Sequence, residues 1–260
     1  MKLNRRFVEK PWGRTELPPI FDAPSDERIG EVWYTNGEDL PLLAKYIFTS
    51  ERLSIQVHPN DEQARARGLA QGKSECWYIL DAGPAATLGL GLKREVNKYE
   101  LRAAALDGSI EELINWRPVN SGDFVFVPSG TIHAIGADIS LLEFQQNADV
   151  TYRLYDYGRP RELHLDDGIA VSNSGPFPNG LVQHLSGTDE RLLVASQHFV
   201  LLQSTSDALL GQRRWIIPLE AEVQSGTEIA GPGDVLLLEP NDRLESSGGR
   251  LLIGATAGPS

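Results

Sequence analysis

Short apolar runs between glycine- and proline-rich turns recur along this chain, and they restrict it to a fold built mainly from β-strands. The runs are rich in β-branched and aromatic residues, which favour strands; they lie at residues 29–35, 43–50, 75–80, 124–128 and 139–146. Many short strands separated by turns predict a jelly-roll barrel, because this arrangement hides most strand edges from solvent. The predicted fold class is therefore all-β in the main.

One stretch departs from this pattern and predicts a short helical insertion. At about residues 97–117, apolar residues recur at roughly helical intervals. Gly108 and Ser109 interrupt the stretch, so we expect two short helices, the second with Ser109 as its N-cap.

The last third of the chain repeats part of the first in weaker form. Residues 231–249 echo residues 120–136, since each segment has a Gly-Asp turn, an apolar strand, a proline and further turn residues. The later segment has no counterpart of the earlier histidine, and no histidine follows His198. We therefore predict a second, reduced β-barrel without metal ligands.

A boundary between the two predicted barrels is indicated where glycine, proline and aspartate become frequent, between residues 160 and 179. We accordingly expect a first domain over residues 1–175 and a second domain over residues 176–260. The length of 260 residues is sufficient for two small β domains.

Charge and cysteine content argue against several classes of partner and site. The formal net charge of −12 argues against nucleic acid or an anionic membrane surface as a partner, so an anionic substrate must be met by a few local cations. Cys76 is the single cysteine, which excludes an intrachain disulfide and a thiolate-rich zinc site. Because no apolar run follows the basic residues near the start, we expect a cytoplasmic protein. The sequence leaves open whether it is a monomer or a homo-oligomer.

Four polar residues on predicted strands form a candidate metal site. Gln56 and His58 lie two apart on one strand, so their side chains point to the same side. Glu75 begins a second strand and His133 lies on another, and in a barrel all four can point inward. Two nitrogen and two oxygen ligands suit Zn²⁺ or another divalent first-row metal, with a position left for water or substrate.

The spacing of these residues resembles that of the cupin superfamily. Gly122, Pro128, Gly130 and His133 fit its second motif, G-x5-P-x-G-x2-H, whereas Gln56-x-His58 departs from the usual His-x-His of the first. This departure, with the later Glu and His, resembles the type I mannose-6-phosphate isomerases in their short bacterial form. The similarity extends over residues 7–170 through PWG, IGEVW, LSIQVHPND, GKSECWYILDAG, VPSGTIHAIG, LLEFQQNADVTYRLYDYGR and RELHLDDG.

The resemblance implies a cupin jelly-roll barrel followed by a reduced cupin-like barrel, and one Zn²⁺ per chain. The implied ligands are Gln56, His58, Glu75 and His133. It further implies that Arg153 is the cation at the reacting end, that Lys73 contacts the substrate and that Glu143 carries a proton. The implied reaction is the interconversion of mannose 6-phosphate and fructose 6-phosphate through a cis-enediol.

Several assignments stay open at this level. Either Glu143 or Lys73 can be the general base if partial burial tunes its pKa to neutral pH. The cations available for the 6-phosphate are Lys10, Arg14, Lys45 and Arg159. Lys45 lies within an apolar run and is either an edge residue that snorkels to water or a ligand contact. Two alternative functions are an iron-dependent cupin dioxygenase and a non-catalytic sugar-binding cupin.

Overall fold

The computed structural model describes residues 1–258, and it is built mainly from antiparallel strands. The strands of the first part are β1 (Asn4–Arg14), β2 (Ile29–Thr35), β3 (Leu42–Phe48), β4 (Ile55–Val57), β5 (Glu75–Ala82), β6 (Thr87–Leu92), β7 (Ile114–Pro118), β8 (Asp123–Val127), β9 (His133–Ile135), β10 (Ile139–Gln146), β11 (Tyr152–Tyr155) and β12 (Val182–His184). Those of the second part are β13 (Arg191–Ala195), β14 (Phe199–Ser204), β15 (Arg214–Pro218), β16 (Val223–Ser225), β17 (Glu228–Ala230), β18 (Leu236–Leu238), β19 (Glu245–Ser246) and β20 (Leu251–Thr256).

The α-helices are short and lie between strands of the first part. They are α1 (Asp61–Arg65), α2 (Lys98–Asp107), α3 (Ile110–Leu113) and α4 (Leu165–Val171), with single 3-10 turns at Pro19–Phe21 and Asn179–Leu181. Within residues 1–258, none of the helices combines the length and the apolar character needed to cross a membrane.

Two sheets face each other in the first part. One has the strand order β1-β2-β3-β10-β5-β8-β12 and the other β11-β4-β9-β6-β7. An apolar core lies between them, to which Ile47, Trp77 and Leu141 contribute from the first sheet and Leu88 and Ile135 from the second. The predicted all-β class, with a barrel of two packed sheets, is confirmed.

The seven-stranded sheet is buried on both faces, which explains why its central strands read as nearly continuous apolar runs. Along β10, Leu141 and Glu143 face the first barrel, whereas Leu142 and Phe144 pack into a core shared with Trp215 and other residues of the later sheet β13-β14-β20-β15-β18. The later part therefore backs the strand that carries Glu143.

The Gly-Asp turns of the two echoing segments share the same local structure. Gly122 and Gly233 have φ angles of 89° and 88°, in the left-handed region that favours glycine. In each turn the aspartate side chain accepts a hydrogen bond from the backbone N–H three residues earlier, at 2.8 Å for Asp123 and 3.1 Å for Asp234. The segments thus resemble each other in hydrogen bonding as well as in sequence.

Three local expectations need correction. The helical part of the insertion ends at Leu113, because Ile114–Pro118 pairs with β6 as strand β7, so the predicted range to residue 117 was too long. Ser109 precedes α3 but makes no side-chain capping bond. Helix α4 lies where the sequence suggested only a boundary region.

The division of the chain near residue 175 stays a prediction. Strand β12 pairs with β8 of the first barrel, so residues 182–184 extend that sheet. At the other end, Leu3 donates a backbone hydrogen bond of 2.9 Å to Val235, which ties the start of the chain to the second part.

We expect Gly254→Ala to destabilise the protein by about 1–3 kcal/mol, the usual cost of overpacking a core. A Cβ atom at Gly254 would lie 2.6 Å from Cε1 of Phe144, whose ring is enclosed by Phe199 and Trp215. Urea unfolding measures the change. The matched control is Gly180→Ala, because a Cβ there meets no atom within 4 Å. Equal stability of the two variants would contradict the close packing between the sheets.

Candidate metal centre

Sheet register brings three of the predicted site residues into one row. Gln56 on β4 is paired directly with His133 on β9 and with Arg153 on β11. Side chains of directly paired residues lie on the same face of a sheet. This row faces Glu75, the first residue of β5 in the opposite sheet.

A buried cluster lies where the two sheets meet. Potential ligand atoms of His58, Glu75 and His133 all lie within 4.8 Å of one another, and each residue is about 1% exposed. Nε2 of His58 is 3.6 Å from Oε2 of Glu75, and Nε2 of His133 is 3.4 Å from its Oε1. Two imidazoles and a carboxylate thus converge on one point.

Backbone carbonyls fix the tautomers of both histidines. Nδ1 of His58 is 2.7 Å from the carbonyl oxygen of Val150, and Nδ1 of His133 is 2.9 Å from that of Thr131. Because a carbonyl oxygen only accepts, each Nδ1 must carry the proton, and each Nε2 is left with a lone pair toward Glu75. Burial lowers the pKa of both rings, to about 3 for His133, so both are neutral at pH 7.

The Glu75 carboxylate has unused acceptor capacity. Neither of its buried oxygens accepts a hydrogen bond, although Lys73 Nζ is in ionic contact with Oε2. Burial raises the pKa of Glu75, but the positive charge of Lys73 and the neighbouring His58 and His133 together outweigh burial, so the pKa is well below its ordinary value. An ionised carboxylate and two imidazole nitrogens with lone pairs form a set of ligand atoms that suits a divalent cation.

Gln56 places its amide group at the same point. Its Nε2 is 3.2 Å from Nε2 of His133, and its Oε1 accepts a hydrogen bond of 3.0 Å from the hydroxyl of Ser54. A half-turn of the amide exchanges the two atoms and presents Oε1 to the cluster. In this structure the oxygen faces Ser54, so ligation by Gln56 requires that half-turn.

A second polar group lies beside the cluster on the seven-stranded sheet. Glu143 Oε1 is 3.1 Å from Lys45 Nζ and 3.6 Å from Lys73 Nζ, and its Oε2 accepts a hydrogen bond of 3.0 Å from the indole of Trp77. Burial lowers the pKa of Lys73, but the carboxylates of Glu143 and Glu75 outweigh burial and raise the pKa above its ordinary value.

Lys45 is a contact of the site and not a snorkelling edge residue. It is 5% exposed, and strand β3 lies between β2 and β10 in the interior of the sheet. Its Nζ is also 4.6 Å from the ring centre of Trp33, within range of a cation–π interaction.

A cavity of about 320 Å³ opens beside the cluster and is rich in cations. Its lining contains five basic side chains: Lys10, Lys45, Lys73, Arg153 and Arg161. The carboxylates in the lining are those of Glu31, Glu143 and Asp149. The cavity therefore carries an excess of positive charge in a chain whose net charge is −12.

Arg153 is the least compensated of these cations. Its Nε donates a hydrogen bond of 2.9 Å to the carbonyl oxygen of Glu162, and within residues 1–258 no carboxylate pairs with its guanidinium. Arg161, in contrast, is paired with Asp156 at 2.6 Å. Burial and the charge of Arg161 lower the pKa of Arg153, as expected for neighbouring like charges.

The structure brings together all seven side chains predicted for the metal and the reaction. Of the four cations considered for a phosphate, Lys10 and Lys45 line the cavity. Arg14 instead binds the Thr49 carbonyl and the Ser140 hydroxyl, and Arg159 pairs with Asp156 and Glu51. These two side chains are not in the cavity lining.

Sequence reasoning missed several residues that line the cavity, among them Glu31, Arg161 and His164. Each of these three lies within a family-like stretch, IGEVW or RELHLDDG, but neither stretch has a spacing that points to a site. Arg161 and His164 come from the loop before α4, a helix that the sequence did not predict.

Comparison with known proteins gives consistent matches. Residues 19–82 match the family described as phosphomannose isomerase type I, catalytic domain. The mannose-6-phosphate isomerase of Streptococcus mutans is 38% identical, over 84% of this chain and 87% of that protein. Mannose-6-phosphate isomerase ManA of Bacillus subtilis is 36% identical, over 68% of this chain and 69% of that protein.

The crystal structure of a mannose 6-phosphate isomerase from Bacillus subtilis has the same architecture. It superposes with a TM-score of 0.78 and 26% sequence identity, and the match covers 97% of this chain and 98% of that one. The likeness therefore includes both the first barrel and the later sheets.

We expect His133→Ala to lose bound divalent metal, because the substitution removes one of two imidazole lone pairs aimed at Glu75. Elemental analysis after dialysis against buffer measures the occupancy. His184→Ala is the matched control, since His184 is exposed and pairs with Asp123 away from the cluster. Full metal occupancy in His133→Ala would show that the cluster is not the metal site.

Proposed function

Because the chain belongs to the type I phosphomannose isomerase family, we propose that the cavity beside His58, Glu75 and His133 is its active site. The protein is a mannose-6-phosphate isomerase, an aldose-ketose isomerase with the predicted cupin fold. The observation that carries the site proposal is the convergence of two neutral imidazoles and an ionised carboxylate beside a cationic cavity, whose lining includes Gln56 and Lys73.

The reaction interconverts mannose 6-phosphate and fructose 6-phosphate. A proton moves between C2 and C1 through a cis-enediol, so negative charge develops on the oxygens of C1 and C2. The site must therefore stabilise this charge, carry the proton and hold the phosphate.

We propose that Zn²⁺ is the resident metal, held by His58, His133, Glu75 and, after the half-turn of its amide, Gln56. Two imidazole nitrogens with two oxygens are a donor set that suits zinc. When bound, such a metal supplies Lewis-acid stabilisation of negative charge on the substrate.

Arg153 is suited to stabilise the enediolate. It is paired in register with Gln56, so its side chain extends on the face that carries the metal site. Its guanidinium stays protonated through the reaction and can donate hydrogen bonds to a developing oxyanion without acting as a base.

Of the two candidates for proton carrier, we propose Glu143. Its carboxylate lines the cavity, and although Lys45 Nζ is in ionic contact with Oε1 at 3.1 Å, this oxygen accepts no hydrogen bond and keeps a lone pair for a proton. Lys73 Nζ is instead engaged with Glu75, with Glu143 and, at 3.2 Å, with His58 Nε2. We propose that Lys73 is a positively charged substrate contact.

The 6-phosphate needs cations that are within the cavity. Lys10, Lys45 and Arg161 meet this condition, whereas Arg14 and Arg159 are engaged elsewhere. We propose that Lys10, Lys45 and Arg161 bind the phosphate, because cations form strong hydrogen bonds to phosphate oxygens and the cavity is large enough for a small ligand.

The two alternative functions are not favoured. An iron-dependent dioxygenase and a non-catalytic sugar-binding cupin both fit a metal-binding barrel, but the curated relatives described above are mannose-6-phosphate isomerases. We also retain two predictions from the sequence as part of the proposal: the metal is zinc, and the protein is cytoplasmic.

We expect purified protein to convert mannose 6-phosphate to fructose 6-phosphate and to lose this activity when a chelator removes its metal. A coupled assay that detects fructose 6-phosphate measures the rate, with elemental analysis of the same sample. Readdition of Zn²⁺ is the control and should restore the rate. Full activity in protein shown to be metal-free would contradict the metal site, and dependence on iron and oxygen would support the dioxygenase alternative.

We expect Arg153→Ala to keep its metal but to lose turnover by about 10²- to 10³-fold, the usual cost of removing one donor to a developing oxyanion. Steady-state kinetics and metal analysis together measure the effect. The control is Arg65→Ala, since Arg65 is exposed on α1 outside the cavity lining. If Arg153→Ala instead released the metal and kept its turnover on readdition, Arg153 would be structural.

A further inference from the structure

Trp77 lies at the end of a polar row across the seven-stranded sheet. Lys45 on β3 is paired directly with Glu143 on β10, and Glu143 with Trp77 on β5. The three side chains therefore lie on one face, toward the first barrel. Trp77 is fully buried.

The Trp77 indole makes the one hydrogen bond that the Glu143 carboxylate accepts from residues 1–258. The indole N–H donates to Oε2 at 3.0 Å, whereas Oε1 accepts no hydrogen bond and makes only ionic contacts, with Lys45 Nζ at 3.1 Å and Lys73 Nζ at 3.6 Å. A carboxylate rotates easily about its last side-chain torsion, so ionic contacts alone fix its orientation poorly. The directional bond from the indole holds Oε2 on the side of Trp77 and leaves Oε1 beside Lys45 and Lys73, two side chains that line the cavity.

A second contact of the same ring is with the metal centre. The Trp77 ring lies edge-to-face with His133, with ring centres 5.4 Å apart and planes at 68°. One rigid side chain therefore contacts both Glu143 and His133.

We propose that Trp77 is a positioning residue for the isomerisation: its indole N–H holds the Glu143 carboxylate in the orientation in which Oε1 can take up and return the substrate proton. The inference rests on the proposed role of Glu143. Trp77 itself does not touch the substrate, because it is fully buried behind Glu143.

The chain offers a closely matched control for this role. Trp215 is also fully buried, but its indole nitrogen has no hydrogen-bond partner, and its ring packs edge-on against Phe144, the neighbour of Glu143. Replacement of either tryptophan by phenylalanine removes a similar volume from a core. Only the change at position 77 removes a donor to a site carboxylate.

We expect Trp77→Phe to lower kcat by about 10- to 100-fold, the range for a lost hydrogen bond to a charged group, with KM and metal content unchanged. Trp215→Phe should lose stability but keep kcat within about twofold, since a core change alone moves no reacting group. In a Glu143→Ala background, Trp77→Phe should lower the residual rate by less than about twofold. Substitutions of two residues that act through the same group have effects that do not add.

Equal effects of the two phenylalanine variants on kcat, or a full additional loss in the Glu143→Ala background, would overturn the inference. So would loss of metal from folded Trp77→Phe, since Trp77 would then act through His133. If Trp77→Phe does not fold, site-specific replacement of Trp77 by benzothienylalanine decides the question, because this near-isostere has a sulfur atom, which cannot donate, in place of the indole N–H. An unaltered kcat with the isostere would overturn the inference, whereas absence of isomerase activity in the wild-type protein would overturn the proposed function itself.

Discussion

The burial of the Glu75 carboxylate is the interaction on which the site depends. An ionised carboxylate in a protein interior is costly unless it is paired and hydrogen-bonded, yet neither oxygen of Glu75 accepts a hydrogen bond. The ammonium of Lys73 compensates part of the charge from one side. The two histidines present lone pairs instead of protons to the carboxylate, because backbone carbonyls hold the proton of each ring at Nδ1. This combination leaves room for one more positive charge, which a divalent metal would supply.

Glu143, the other carboxylate beside the metal centre, lies on a sheet that is buried on both faces. Along β10, Glu143 faces the cavity and Phe144 packs against Phe199 and Trp215 of the later sheet. Gly254 allows the later sheet to approach the Phe144 ring closely. The second part of the chain, which has no metal-ligand cluster within residues 1–258, thus supports the strand that carries the proposed proton carrier.

Parts of this arrangement could be predicted from the sequence because they depend on local spacing. Gln56 and His58 lie two apart, Glu75 opens an apolar run and His133 follows a Pro-x-Gly turn, so pattern alone predicts a strand for each. The prediction is wrong only for His58, which directly follows the last residue of β4 (Ile55–Val57). The role of Lys45 could not be predicted from the sequence, since an edge strand and an interior strand have the same local pattern. Trp77 reads as an ordinary core residue until the register of β5 against β10 places it beside Glu143. Arg161 and His164 reach the cavity from an irregular loop, whose path depends on tertiary contacts and not on periodicity.

The most direct test of the account is the coordination of the bound metal in the wild-type protein, measured by X-ray absorption at the zinc edge together with a crystal structure of the zinc-loaded form. We predict one zinc ion bonded to Nε2 of His58, Nε2 of His133, a carboxylate oxygen of Glu75 and, after the half-turn of its amide, Oε1 of Gln56, since both histidines carry their proton at Nδ1 and the Glu75 oxygens accept no hydrogen bond. Bonds to Nδ1 of either histidine, or a fully occupied zinc site elsewhere with this cluster empty, would contradict it.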